Sequence, residues 1–315
     1  MSNELLDIIT IGESLVEFST NQKLECAECV HKYYGGDSLV TAISARRLNS
    51  TVGFITALGN DPFKNFMLNC WNKEGLNLEH VKLVDGKNGL YMVSRAENAE
   101  KEFIYYRNKI APAKLSIDDI DEEYIKSAKI VYASGVTQSL SLSAREAVKK
   151  AFSIAKENDI LTAYDPNYSS LISTKEDAKE YFDEIIELTD ILFMSSKYDT
   201  KSIFDIESLE NIMKTITDFG VQTVVIKSSQ DKGYFVNNIQ RNTVFVPFYT
   251  ENVIDTTSSG DAFNGAFLHA LANSYSPVEA AKIASIAAGL QAQGIGAVKS
   301  IPYYDEVYKI YKSEE

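Results

Sequence analysis

The sequence predicts an α/β fold, a mostly parallel sheet flanked by helices and carrying a small β-sheet lid. Three observations predict it. Short β-branched runs alternate with longer helical segments at the spacing of parallel strand–helix units. Two stretches, about 16–34 and 80–108, break that alternation with β-like runs and no helix between them. The chain has 315 residues, 45% apolar and 24% charged, enough for one large α/β domain with a small appendage.

In chain order, Ile8-Ile9-Thr10-Ile11-Gly12 reads as a first strand ending in a glycine turn. Residues 38–48 read as a helix and 51–57 as a second strand, and 63–71 carry apolar residues at helical spacing. Further strands are expected at 130–133, 161–164, 191–194 and 223–226, with helices at 142–157, 175–188 and 206–219. Within the two interrupting stretches, Leu90-Tyr91-Met92-Val93-Ser94 and Glu102-Phe103-Ile104-Tyr105-Tyr106-Arg107 suit a small antiparallel sheet, placed to close over a site on the main sheet's edge. With no internal repeat, low-complexity segment or Pro-rich linker, residues 1–315 are expected to form one domain with this lid.

A net charge of −13 repels phosphate backbones and anionic membranes, so neither nucleic acid nor a lipid surface is expected as a partner. Of three cysteines, Cys26 and Cys29 form one C-x-x-C; no second pair follows, and His31 alone does not complete a zinc site, which leaves reduced thiols. Asp7, Glu13 and Glu17 fall where a secretory signal would be apolar, and no uncharged apolar run reaches the ~18 residues of a membrane span. A cytoplasmic protein is expected.

The sharpest chemical segment is Val253-Ile254-Asp255-Thr256-Thr257-Ser258-Ser259-Gly260-Asp261-Ala262-Phe263, which leads into a helix over 264–272. Small residues entering a helix leave backbone N–H groups pointing at one spot, and the helix dipole adds positive potential there. Asp261 lies in that first turn, where a carboxylate can take a proton from a hydroxyl held beside the anion. A plain helix cap would account for the same residues. In Tyr33-Tyr34-Gly35-Gly36-Asp37, the glycine pair allows close backbone approach to a ligand and Asp37 can bind sugar hydroxyls; an ordinary turn with an N-cap is the alternative. No P-loop, protein-kinase signature or dinucleotide fingerprint is present, and none of the three histidines forms a hydrolase triad.

The order of Gly12-Glu13, then Gly35-Gly36-Asp37, then Asp255-Thr256-Thr257-x-x-Gly260-Asp261 resembles the ribokinase-like (PfkB) carbohydrate kinases over nearly the whole chain. Within them it is most similar to 2-dehydro-3-deoxygluconate (KDG) kinases, through Thr56 to Asp61, Gly89-Leu90-Tyr91, Tyr105-Tyr106-Arg107, Ala133 to Val136 and Asp165-Pro166-Asn167-Tyr168. The resemblance implies transfer of a phosphoryl group from ATP, with Mg2+, to a small sugar or sugar acid. Asp261 would be the base, and Ser258, Ser259 and Gly260 the anion hole. Gly35, Gly36, Asp37, Tyr91, Tyr105 and Asn167 would line the sugar pocket, and Arg107 would face a sugar-acid carboxylate. Lys227, Ser228, Ser229, Ser258, Gly260 and Ser285 would border the nucleotide. Asp255 and Thr257 lie where the family often holds a monovalent cation such as K+. Related kinases pair their lids, so a homodimer through the lid is implied.

The sequence departs from the family pattern at Val40, Ser169, Ser228 and Ser229, and at Ser195-Ser196-Lys197-Tyr198, where Asp199 would stand in one residue late for a usual acid. Loss of the arginine usual at Ser169 removes a carboxylate or phosphate contact. Three readings therefore stay open: a KDG kinase, a fructokinase or other neutral-sugar kinase, and a catalytically weakened sugar- or nucleotide-binding homologue.

Overall fold

The computed structural model describes residues 5–96, 101–206, 208–237, 242–250 and 252–313. Residues 97–100 of the expected lid and 207 of the expected 206–219 helix lie outside the described residues. The first strands in the chain are β1 (Leu6–Ile11), β2 (Leu15–Thr20), β3 (His31–Gly35), β4 (Val52–Gly59), β5 (Val81–Val84), β6 (Gly89–Ser94) and β7 (Glu102–Tyr106). There follow β8 (Ala128–Ser134), β9 (Leu161–Asp165), β10 (Ile191–Ser195), β11 (Thr223–Ser228), β12 (Gly233–Asn237) and β13 (Thr243–Pro247). The helices are α1 (Asp37–Arg47), α2 (Lys64–Glu74), α3 (Glu122–Lys126), α4 (Gly135–Gln138), α5 (Leu142–Glu157), α6 (Lys175–Ile185), α7 (Leu209–Asp218), α8 (Ser259–Ala272), α9 (Pro277–Ala292) and α10 (Tyr304–Tyr311).

The main sheet runs β13-β12-β11-β10-β9-β8-β1-β4-β5, parallel except for the antiparallel edge formed by β12 and β13. Both faces are covered. In β10, Ile191 and Phe193 point into a core shared with α1, α2, α8, α9 and α10, while Leu192 and Met194 point into a second core with α3, α5, α6 and α7. Burial on both sides explains why these strands read as unbroken apolar runs. Helix starts follow their caps: Ser141 accepts a hydrogen bond from the Ala144 N–H, Thr174 from Asp177 and Ser208 from Asn211. The cap at Ser208 sets the start of α7 at Leu209 rather than 206, and the chain beyond Ile185 tightens into a 3₁₀ turn instead of continuing α6 to 188.

The lid is a four-stranded sheet in the order β3-β2-β6-β7. Two expectations need correction here. Its two hairpins are antiparallel, but the central pair β2–β6 is parallel, from Leu15↔Gly89 to Thr20↔Ser94. Both hairpins leave the body in the same direction, so their first strands run side by side. The stretch 80–108 also does not belong wholly to the lid, because β5 pairs with β4 as the last parallel strand of the main sheet. The β12–β13 pair was not anticipated at all.

Helix α8 lies across α1 at close range. A Cβ on Gly265 would meet the Thr41 carbonyl oxygen at 2.2 Å, so only glycine permits this contact. The side chains of α1 then grip the first turn of α8: Thr41 donates to the Asp261 carbonyl at 3.3 Å and Ser44 to the Ala262 carbonyl at 2.7 Å. Among the described residues no helix is long and apolar enough to cross a membrane.

Candidate active site

The carboxyl ends of β1, β8, β9 and β11 meet the starts of α1 and α8, the usual position for a ligand crevice in a sheet of this kind. At the start of α8, Ser258 sits in the left-handed region with φ 62° and ψ 11°. No side chain caps the helix. The Ser259 N–H donates to the Thr256 carbonyl at 3.1 Å, whereas those of Ser258, Gly260 and Asp261 meet no acceptor among the described residues. Of the three residues expected to form the anion hole, Ser259 thus contributes no free N–H; Ser258 and Gly260 do, and Asp261 joins them.

Lys227, at the end of β11, reaches the same spot: its Nζ lies 3.5 Å from where a Cβ on Gly260 would be. It donates to Asp165 Oδ2 at 2.6 Å and to Asn264 Oδ1 at 3.4 Å, and Asn264 Nδ2 donates to the same Asp165 oxygen at 2.7 Å. Burial alone would lower the lysine pKa, but Asp165 raises it, so Lys227 stays cationic beside the anion site.

Asp261 faces into the cleft, where Asn167 Nδ2 donates to its Oδ1 at 3.3 Å and the Ser258 hydroxyl also hydrogen-bonds its carboxyl. Burial and the nearby Asp37 raise its pKa, against the pull of Lys227 and Ser258. A raised but titrating carboxyl is what a general base working near neutrality requires. Asp37 opens α1 after Gly36, whose φ of 117° suits glycine and whose Cβ would meet the Glu13 carbonyl oxygen at 2.7 Å. The Ser134 and Ser38 hydroxyls both donate to Asp37, and burial raises its pKa as well.

From the lid, the rings of Tyr91 and Tyr105 stack at 5.7 Å. The Tyr91 hydroxyl donates to Glu17 Oε2 at 2.6 Å, and its oxygen is 3.0 Å from the Cβ position of Gly35, so Tyr91 forms a wall rather than a free hydroxyl. Arg107 does not present an unpaired guanidinium: its Nη2 donates to buried Glu13 at 2.9 Å. Burial pushes Glu13 up to about 7, against the attraction of Arg107 and aided by Asp37.

The expected nucleotide residues divide. Lys227, Ser258 and Gly260 converge as described. Ser228 and Ser229 line a cavity of about 700 Å3 with Ser196, Lys197, Thr200 and Lys201, on the α7 side of the sheet. Ser285 is drawn to neither place; it is 2% exposed and its hydroxyl donates to the Pro247 carbonyl at 2.7 Å, which makes it a brace between α9 and β13. Asp199 is likewise a brace, since its two oxygens accept from the Tyr168 N–H at 2.8 Å and the Ser195 N–H at 2.5 Å. Sequence reasoning gave no role to Glu13, Ser134 or Asn264. The one available signal was the placement of Asn264 three residues after Asp261, on the same face of a helix.

A buried aspartate beside free N–H groups and a lysine, at the carboxyl edge of a doubly covered parallel sheet and beneath a small lid, is an arrangement consistent with an α/β carbohydrate kinase. The chain belongs to the pfkB family of carbohydrate kinases, whose family profile matches residues 5–303. It is 28% identical over 308 residues to an ATP-dependent 6-phosphofructokinase from Thermoanaerobacterium thermosaccharolyticum, covering 97% of this chain and 94% of the relative. It is 29% identical over 305 residues to the 2-dehydro-3-deoxygluconokinase of Escherichia coli, covering 92% and 96%. Among solved structures, a protein provisionally assigned as ribokinase II from Escherichia coli, in complex with ATP and Mg2+, matches with a TM-score of 0.88 at 23% identity, over 99% of this chain and 100% of the other.

Ser258 generates a prediction. A non-glycine residue in the left-handed region costs roughly 1–2 kcal/mol, while its hydroxyl holds the Asp261 pKa down. Ser258→Gly is expected to be at least as stable as the wild type in denaturant titration. The Asp261 carboxyl should titrate at higher pH, because it loses a hydrogen bond to its charged form, and any acid limb it sets in a pH–rate profile should move the same way. An unmoved titration would separate Ser258 from Asp261.

Proposed function

We propose that this chain transfers the γ-phosphoryl group of ATP to a hydroxyl of a small sugar or sugar acid, with 2-dehydro-3-deoxy-D-gluconate, converted to its 6-phosphate, as the first candidate. The observation that carries the reading is Asp261, held by Asn167 and Ser258 next to the free N–H groups of α8 and the ammonium of Lys227. In this reading Asp261 takes the hydroxyl proton, while the N–H groups and Lys227 receive the charge of the transferred group. Mg2+ would arrive on the nucleotide, as it binds through phosphates, waters and one or two carboxylates; Asp165 is the carboxylate beside Lys227. Orienting bonds on the base support catalysis over binding alone. Asp261→Asn is expected to lower kcat at least ~100-fold with ATP binding and melting near wild type; retention of most activity would remove Asp261 from this role.

The KDG assignment is supported by Tyr91, Tyr105 and Arg107 in the lid and by the E. coli relative. A neutral sugar is the second reading, and Glu13 favours it. The guanidinium that would meet a sugar-acid carboxylate is already paired, and Asp37 and Asp261 add negative potential. A sugar acid would share Arg107 with Glu13, and it gains most of that guanidinium when Glu13 holds a proton, which its pKa of about 7 permits below that pH. For an acid substrate KM should therefore rise as pH increases above 7, and Arg107→Leu should raise it roughly ten- to a hundredfold. With fructose neither effect is expected, and equal effects on both sugars would decide for the neutral-sugar kinase.

The lid also supports a homodimer. Leu90, Met92, Ile104 and Tyr106 share one of its faces by pairing register, and Ile104 and Tyr106 are 42% and 57% exposed. A sheet this small gains by covering such a face with a second copy. Light scattering should give roughly twice the chain mass of 35.1 kDa at micromolar concentration, falling to the monomer in Ile104→Lys. A wild-type monomer would sink the proposal.

A further inference from the structure

Asp255, 1% exposed, opens the turn that leads under the anion hole. Its Oδ1 accepts three hydrogen bonds, from Lys101 Nζ at 2.6 Å, the Thr257 N–H at 2.9 Å and the Thr257 hydroxyl at 2.6 Å. Its Oδ2 accepts from Arg95 Nε at 2.5 Å. A carboxylate offers about four lone-pair sites, two on each oxygen, so Oδ1 is fully used and Oδ2 holds Arg95 on one of its two. Arg95 continues to Ser19 Oγ at 2.5 Å and to buried Glu17 at 3.4 Å. Two cations thus face two carboxylates, and the cluster is neutral without any added ion. Burial would raise the Asp255 pKa, yet Lys101, Thr257 and Arg95 bring it down to about 2.

These are the residues at which the family resemblance places a monovalent cation, and their surroundings do not fit one. Such an ion needs several oxygens with free lone pairs. Here Asp255 Oδ1 is fully used, Oδ2 is held by the Arg95 guanidinium, and the Thr257 carbonyl already accepts from Gln291 Nε2 at 2.9 Å. An ion touching Asp255 would also lie beside a guanidinium and an ammonium in a buried place, where like charges repel strongly. Gln291 Oε1 is buried without a partner among the described residues, but a single neutral oxygen does not make a coordination shell. We propose that Arg95 and Lys101 are tethered cations that take the place of a free monovalent ion, and that they fasten the β6–β7 end of the lid to the anion-hole turn. Both are positioning residues, acting on the site through Asp255.

The test is ion selectivity, read by melting temperature so that it stands whether or not the proposed substrate is right. The full chain is melted in KCl, NaCl and tetramethylammonium chloride at equal ionic strength. A bound ion would raise the melting temperature on the order of 2–4 °C or more once its concentration exceeds its dissociation constant. The wild type is expected to melt within about 1 °C in all three salts. In Lys101→Met, which frees one lone pair and leaves negative charge uncompensated, melting should fall in tetramethylammonium and recover in part in KCl. A saturable, K+-specific rise in the wild type would overturn the proposal. So would a Lys101→Met protein that is destabilised equally in all three salts. Should that variant not fold, the wild-type comparison alone still decides.

Discussion

Lys227 and Asp165 meet at 2.6 Å in the middle of the cleft, and the arrangement of the cleft depends on this contact. Each comes from the carboxyl end of a parallel strand, Lys227 as the next-to-last residue of β11 and Asp165 as the last of β9. Asn264 bonds to both partners and thereby registers α8 against the two strands. The pair is buried, so its worth is not simple attraction. Removing either partner from such a pair leaves a desolvated charge, a penalty of about 3–5 kcal/mol. What the pair supplies is position: it sets an ammonium beside Gly260, at the free N–H groups of α8, and keeps it charged.

The cleft around that contact is dominated by carboxyls. Glu13, Asp37 and Asp261 lie close enough for each to be shifted upward by burial and by a neighbour of like charge. Burial and mutual repulsion in such a pocket favour the protonated form of each carboxyl. The same carboxyls make the cleft hostile to anions except where N–H groups, Lys227 or Arg107 face them. At the start of α8 the N–H groups are free while Lys227 is shared with Asp165, and at the lid the arginine is shared with Glu13.

How much of this could be read from the chain depended on the range of the interactions. Strands buried on both faces, such as β10 and β11, announce themselves by unbroken apolar runs. The edge strands β12 and β13 alternate Gly-Tyr-Phe-Val-Asn and Thr-Val-Phe-Val-Pro without a crossover helix, so the strand–helix rhythm gave no place for them. The lid's existence was legible from its aromatic runs, but its parallel centre was not, because direction is set by where the chain leaves the body. At the site, the small residues before α8 and Asp261 itself were plain, being one local segment. The partners of those residues were hidden by distance: Asn167 is 94 positions from Asp261 and Glu13 is 94 from Arg107. For the same reason Ser285 and Asp199 could be placed near the site by alignment of pattern, yet their side chains turn to a carbonyl and to two amides.

The parallel pairing at the centre of the lid imposes an order of assembly. A lid made of one continuous meander could form as soon as its own strands had left the ribosome. Here β2 and β6 pair at positions 74 apart, Leu15 with Gly89, and the chain between them must first build α1, β4, α2 and β5. Closing so long a loop is entropically unfavourable until the intervening body is compact and has brought the two hairpin stems together. By contact range alone, the central seam of the lid is thus the part whose closure gains most from a body already in place.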